Sequence, residues 1–226
     1  METSLHRQLK ALYAEDESQT EVRLGSFRID AIADGELIEI QHGSLAAIRR
    51  KIARLVQKHR VRVVKPIVAR KYLIKQDKRG GKVLSRRRSP KVGTPLSLFD
   101  ELVYFTGVFP HERLVLELVL VDVEEWRYPG HGRRRRRRDR DHQVEDQKLL
   151  EVHETVTLRT AADLRRLLGV RLPKQFHTGQ LAEKLGVQRW IAQRIAYCLR
   201  HAGTIRQVGK QGNALVYEFA GRKRAA

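Results

Sequence analysis

The chain has 226 residues, 41% of them hydrophobic, which is material for one large domain or two modest ones. It carries 46 Lys and Arg against 26 Asp and Glu, a formal net charge of +20, so its field attracts polyanions, with nucleic acid the leading candidate. With no leader-like start, no long apolar run and a single cysteine, a soluble cytoplasmic protein is expected, without membrane contact, internal disulfide or cysteine zinc cluster.

Leu5, Leu9, Leu12 and Tyr13 follow helical spacing and predict a short amphipathic helix. Three strand-like runs follow, at 20–24, 27–33 and 36–41, separated by Gly25-Ser26 and Asp34-Gly35. These pairs suit two-residue hairpin turns of types II′ and I′, so a three-stranded meander is expected. Two-residue turns fix register: paired positions sum to 51 across the first turn and to 69 across the second. One cross-strand row is then Glu21–Asp30–Glu39, and the next is Val22–Ile29–Ile40. Val22, Leu24, Phe27, Ile29, Ala31, Ile38 and Ile40 share the core face, while Glu21, Arg23, Arg28, Asp30, Glu39 and Gln41 share the other. Opposed side chains stand about 5 Å apart, so three acids in a row call for positive charge. Either a divalent cation supplies it, hard oxygen ligands favouring Mg²⁺ or Mn²⁺, or Arg23 and Arg28 do.

Ser44 is placed to cap a helix over 45–58, with Leu45, Ile48, Ile52, Leu55 and Val56 as its apolar stripe. Arg49, Arg50, Lys51, Arg54 and Lys58 lie off that stripe. A strand over 61–68 and a hairpin turning at 78–81 follow, and then Arg86, Arg87, Arg88 and Lys91. From Arg49 to Lys91 there are 18 Lys or Arg and one acid, Asp77, which is either a set of phosphate contacts or a solvated basic face. A helix over 96–108 and a strand over 114–123 carry no recognisable chemistry. His42, just past the acids, reads as a strand-end histidine or a substrate contact.

The six arginines Arg133–Arg138 have no apolar periodicity and read as a linker or loop over 127–142, either a solvated connector or a phosphate tether. They divide the chain into regions 1–126 and 143–226. In the second region Thr160 and Asp163 form a capping box before a helix at 163–168. Thr178 is expected to cap a helix ending at Gly186, and a second helix spans about 188–202, with Cys198 in its apolar run as a structural thiol. Strands at 205–208 and 215–219 flank a tip at 209–213. Helix, turn, helix and two-stranded wing resemble a winged helix-turn-helix. In that family the second helix enters the major groove, which implies contacts from Gln188, Arg189, Gln193, Arg194 and Arg200, with Lys210 at the wing tip.

Asp30, then Glu39-Ile40-Gln41 on the next strand, resembles the motif of the PD-(D/E)XK, restriction-endonuclease-like nucleases. The order helix, meander, helix, strand over about residues 5–75 resembles their core. The resemblance implies an α/β fold with a mixed sheet flanked by helices and a small α+β winged domain after it. It also implies metal-dependent DNA hydrolysis with Asp30 and Glu39 as ligands of Mg²⁺ or Mn²⁺, the Ile40 carbonyl beside them and Glu21 as a third acid, for which Glu15 and Glu17 compete. Gln41 stands where the family usually has lysine, and Arg50 or Lys51 would supply the missing charge. The alternative is a catalytically inactive DNA-binding regulator or architectural protein on the same fold. RNA as substrate and a homodimer stay open.

Overall fold

A computed structural model describes residues 3–14, 16, 19–130 and 142–221. The chain is α/β, and it forms two compact units, each made of several sequence segments. The first comprises residues 1–42, 63–94 and 117–156, and the second 43–62, 95–116 and 157–226.

The first unit opens with helix α1 (Ser4–Tyr13), capped by the Thr3 side chain. Strands β1 (Thr20–Leu24), β2 (Phe27–Ala33) and β3 (Glu36–Ile40) follow as an antiparallel meander. Its register is the one the two turns dictate: Val22 faces Ile29, and Ala31 faces Ile38. Asp34 and Gly35 both adopt positive φ (50° and 69°), as a type I′ turn requires, and Gly25 takes φ 58° in the first turn. Strands β4 (Val61–Gln76), β5 (Val83–Arg88), β6 (Leu114–Pro129) and β7 (His142–Leu158) complete a seven-stranded sheet. Its order is β1-β2-β3-β4-β6-β7, with β5 paired to the far part of β4. Leu5 and Leu9 of α1 pack on Ala31, Ile38, Ile40, Val64, Val119, Val121 and Val123. The Ile38 and Ile40 face is thus the core face, as the alternation requires. Helix α1 is also fastened to β7: the Ser4 N–H and hydroxyl donate to Asp146 at 2.8 and 2.5 Å, and the Leu149 N–H donates to Gln8.

Two expectations are corrected here, and one strand is added. Strand β4 runs on to Gln76 rather than ending near Val68, because its far part pairs antiparallel with β5. The stretch 143–158, for which no element was expected, is strand β7, hydrogen-bonded beside β6. The connection between Pro129 and His142 therefore joins adjacent strands of one sheet rather than two domains. Arg133–Arg138 themselves lie outside the described residues, as do Glu15 and Glu17.

In the second unit, Ser44 caps helix α2 (Leu45–Leu55), whose Leu45, Ile52 and Leu55 are buried. Helix α3 (Leu98–Leu102) is shorter than expected. Beyond it the hydrogen bonds tighten to three-residue turns, Phe105 to Leu102 and Val108 to Phe105, although Leu102, Phe105 and Val108 stay buried. Then come α4 (Ala161–Leu167), β8 (Gln175–His177), α5 (Thr178–Leu185), α6 (Arg189–His201), β9 (Ile205–Gln211) and β10 (Ala214–Phe219). The capping box of Thr160 and Asp163 is formed. Helix α5 is capped by His177 and not Thr178: the His177 Nδ1 accepts from Gly179 N–H and Gln180 N–H at 3.0 and 3.2 Å. Strand β8, unexpected from sequence, makes a three-stranded sheet in the order β8-β10-β9. Cys198 lies on the buried face of α6, where burial pushes its thiol up to about 12, so it stays a neutral structural group.

Candidate functional site

The β2–β3 ladder runs from the Asp34-Gly35 turn to the pair Ala31–Ile38. Continued one step further, that register would set Asp30 opposite Glu39, but the ladder stops short of it. There the strand backbone is satisfied differently: Asp30 Oδ2 accepts the Ile40 N–H at 2.8 Å. The Asp30 carboxylate is thereby held against the backbone of the Glu39-Ile40-Gln41 segment. Glu39 is only 5% exposed, an unusual place for an acid. The Gln41 N–H continues the sheet by donating to Val64 O of β4 at 2.9 Å.

A cation reaches this end of β3 from β4, which sequence reasoning did not foresee. Lys65 is buried, and its Nζ donates to the His42 carbonyl at 3.0 Å. Burial, reinforced by Lys65 and Lys71, holds the His42 imidazole below its ordinary pKa, so it is neutral at neutral pH. The signal was in the sequence: Lys65 interrupts the apolar run Val61–Val68, where a buried lysine needs a reason.

The third acid behaves differently from the expectation. Thr20–Ala31 and Val22–Ile29 are paired, yet Glu21 between them has a left-handed backbone, φ 56°. Such a conformation costs a non-glycine residue roughly 1–2 kcal/mol. Its carboxylate pairs with Lys10 of α1 and with Arg28. His6, also on α1, stands 3.5 Å from Asp30. The charge of Glu21 is thus balanced by Lys10 of α1 and by Arg28, and Glu21 is not an open third ligand.

Elsewhere in the first unit, Asp122, Glu151 and His153 bring ligand-type atoms within 4.8 Å of one another. Arg70 occupies the place a cation would take: its Nε is 2.7 Å from Asp122 Oδ2, and its guanidinium is 3.0 Å from His153 Nε2. His153 Nε2 in turn lies 2.7 Å from Asp122 Oδ1. The buried aspartate is thus already balanced by a guanidinium. Nearby on β6, burial alone would raise the pKa of Glu125, but hydrogen bonds from Lys71 and Gln147 outweigh it and bring it to about 2.

The basic residues expected to meet phosphate are mostly at the surface. Arg49, Arg50, Arg54 and Lys58 are exposed and Lys51 is half-buried. Lys58 lies in the turn after α2 rather than within it. Arg86, Arg87 and Arg88 are exposed along β5, and Lys91 is exposed beyond it. Arg86 reaches Glu124 and stacks on Tyr72, 4.4 Å from the ring centre. On α6, Arg189, Gln193 and Arg200 face solvent, as does its cap residue Gln188. Arg194 does not join them freely, because it is paired with Asp100. Lys210 is not at a wing tip: β9 extends to Gln211, and Lys210 pairs with Leu215, so the turn is Gly212-Asn213. Two aromatic residues on α6 went unread in the sequence. Trp190 is 49% exposed and Tyr197 45%, on the same helix as Arg189 and Gln193.

The family described as "Domain of unknown function (DUF8091)" matches residues 3–159, and the chain belongs to it. The chain is also similar to a protein of Treponema pallidum (strain Nichols) described as "Uncharacterized protein", with 31% identity over 218 residues. These cover 96% of this chain and 84% of the relative. No solved structure matches the chain. Among the described residues, no helix is long and apolar enough to cross a membrane.

Proposed function

We propose that this protein binds DNA and hydrolyses its phosphodiester backbone with a divalent cation held by Asp30 and Glu39. One observation carries the reading: Asp30 turns its carboxylate onto the N–H of Ile40, next to Glu39, at the point where the turn-fixed register, extended one step, would bring the two acids together. The donors fit a hard ion, two carboxylates with the Ile40 carbonyl directly after Glu39 in sequence, and Mg²⁺ or Mn²⁺ is the cofactor class. When bound, such an ion supplies Lewis-acid chemistry at neutral pH. Gln41 orients water by hydrogen bonding, a role glutamine performs without adding charge. The charge that a lysine at position 41 would bring comes from Lys65, which is a different source from Arg50 or Lys51. The element order α1-β1-β2-β3-α2-β4 supports a restriction-endonuclease-like core. The succession of α4, α5, α6 and the β9–β10 ribbon supports a winged helix, with α6 as the groove-reading element.

A second reading has its own observation. Lys10 and Arg28 neutralise Glu21 without any metal, which suits an inactive DNA-binding protein. A nicking assay on supercoiled plasmid separates the two. With Mn²⁺ or Mg²⁺ we expect nicking that EDTA abolishes and that Asp30→Ala and Glu39→Ala each reduce by at least about a hundredfold. Plasmid binding with no cleavage under either metal would establish the second reading, and equal cleavage by both variants would remove the assigned site.

A further inference from the structure

The β4–β5 hairpin and the ends of β6 and β7 enclose a cavity of about 340 Å³ that the reading above does not use. It is lined by Lys75, Ser85, Arg87, Arg127, Tyr128 and His142, with Leu73 as its apolar part. The hairpin register explains part of this convergence. Leu73 pairs with Arg87 and Lys75 with Ser85, so these four side chains share one face of the ribbon. Lys75 and Arg87 are exposed at the rim, while Leu73 and Ile74 are buried. Arg127 is anchored by Glu125, whose charge Lys71 also balances. Tyr128 donates its hydroxyl to Gln143 at 2.5 Å, which fixes the ring. Among the described residues, none that lines it is acidic.

Cationic side chains at the rim, an apolar side chain and one oriented aromatic ring make up the chemistry that holds a nucleotide. Phosphate meets Lys and Arg, and a base finds a flat face. The volume is at the small end of ligand sites, suiting one nucleotide rather than a duplex segment. In a duplex the bases are stacked and paired, so only an unpaired nucleotide offers its face. We propose that this pocket takes one unpaired nucleotide of a nucleic-acid strand, with its phosphate on Lys75 and Arg87 and its base against Tyr128. The inference rests on the nucleic-acid binding of the preceding reading, but on neither its metal site nor its chemistry.

Fluorescence anisotropy on the full chain, at one salt concentration and without divalent metal, tests it. The probes are a short labelled single strand and a blunt duplex of the same sequence. Lys75→Glu, Arg87→Glu and Tyr128→Leu are each expected to weaken single-strand binding by about tenfold or more. Duplex affinity is expected to fall no further in these variants than in a charge reversal outside the pocket, and Tyr128→Phe to keep single-strand affinity. Lys78→Glu, the same charge change at the exposed hairpin turn, controls for the general field. Equal losses for both probes, or a loss with Lys78→Glu as large as with Arg87→Glu, would overturn the pocket and leave DNA binding standing. Pocket-dependent single-strand binding without duplex binding would support the pocket and remove the duplex grip. If the unaltered protein bound neither probe, both would fall.

Discussion

Glu125 shows how a buried charge is kept in this sheet. It is 3% exposed, and burial pushes its pKa up, yet Lys71, Gln147 and Arg127 hold it at about 2. A carboxylate depressed on folding contributes stability that is fully present above its unfolded pKa, near 4.5, and lost as pH falls toward 2. Glu125→Gln should therefore narrow its stability gap to the unaltered protein as pH drops through that window, measured by denaturant unfolding at successive pH values. A gap independent of pH between 4.5 and 2 would refute the pairing. At Glu21 the legible and the hidden part company. Its row was readable from turn spacing, but its left-handed backbone and its capture by Lys10 and Arg28 were not. Those contacts depend on where α1 lies over the sheet, and helical periodicity gives the buried stripe of a helix but not which strand residues its flanking charges reach.

Among elements, the meander was the most legible, because Gly25-Ser26 and Asp34-Gly35 each permit few hairpin geometries, and a one-residue slip would turn every apolar side chain to the wrong face. Strand β7 was the least. Its sequence mixes Glu, Asp, Lys and Gln with Val and Leu, and at the sheet edge it leaves Val144, Leu150 and Val152 exposed beside those charges. Charged edges discourage pairing with other chains, but they also erase the alternation by which a strand is recognised. Helix α5 gives the sharpest element-level expectation. His177 replaces the expected Thr178 cap, with the Gln180 side chain accepting the His177 N–H at 3.1 Å, and Gly186 closes the helix at φ 62°. His177→Ala should cost about 1 kcal/mol through lost capping. Gly186→Ala should cost a similar amount, about 1 kcal/mol, although open space surrounds that position, because the penalty is conformational. Chemical denaturation of the two variants measures both, and an unchanged Gly186→Ala stability would contradict the left-handed cap.

For the whole molecule, the charge read from composition is distributed over surfaces of both units: α2 and α6 in one, the β4–β5 hairpin in the other. What composition could not reveal is that segments distant in sequence are interleaved, so the arginine run marks a strand connection and not a domain boundary. The same charge sharpens the central claim. A protein of net charge +20 repels divalent cations, so a bound one reports a local acidic site rather than the general field. Titrating Mn²⁺ into the purified full chain, with free Mn²⁺ followed by electron paramagnetic resonance, tests that site most directly. One bound Mn²⁺ per chain is expected, weakened at least about tenfold by Asp30→Asn and by Glu39→Gln, and unchanged by Asp122→Asn. Mn²⁺ binding that survives both substitutions, or no binding at all, would contradict a cation held by Asp30 and Glu39.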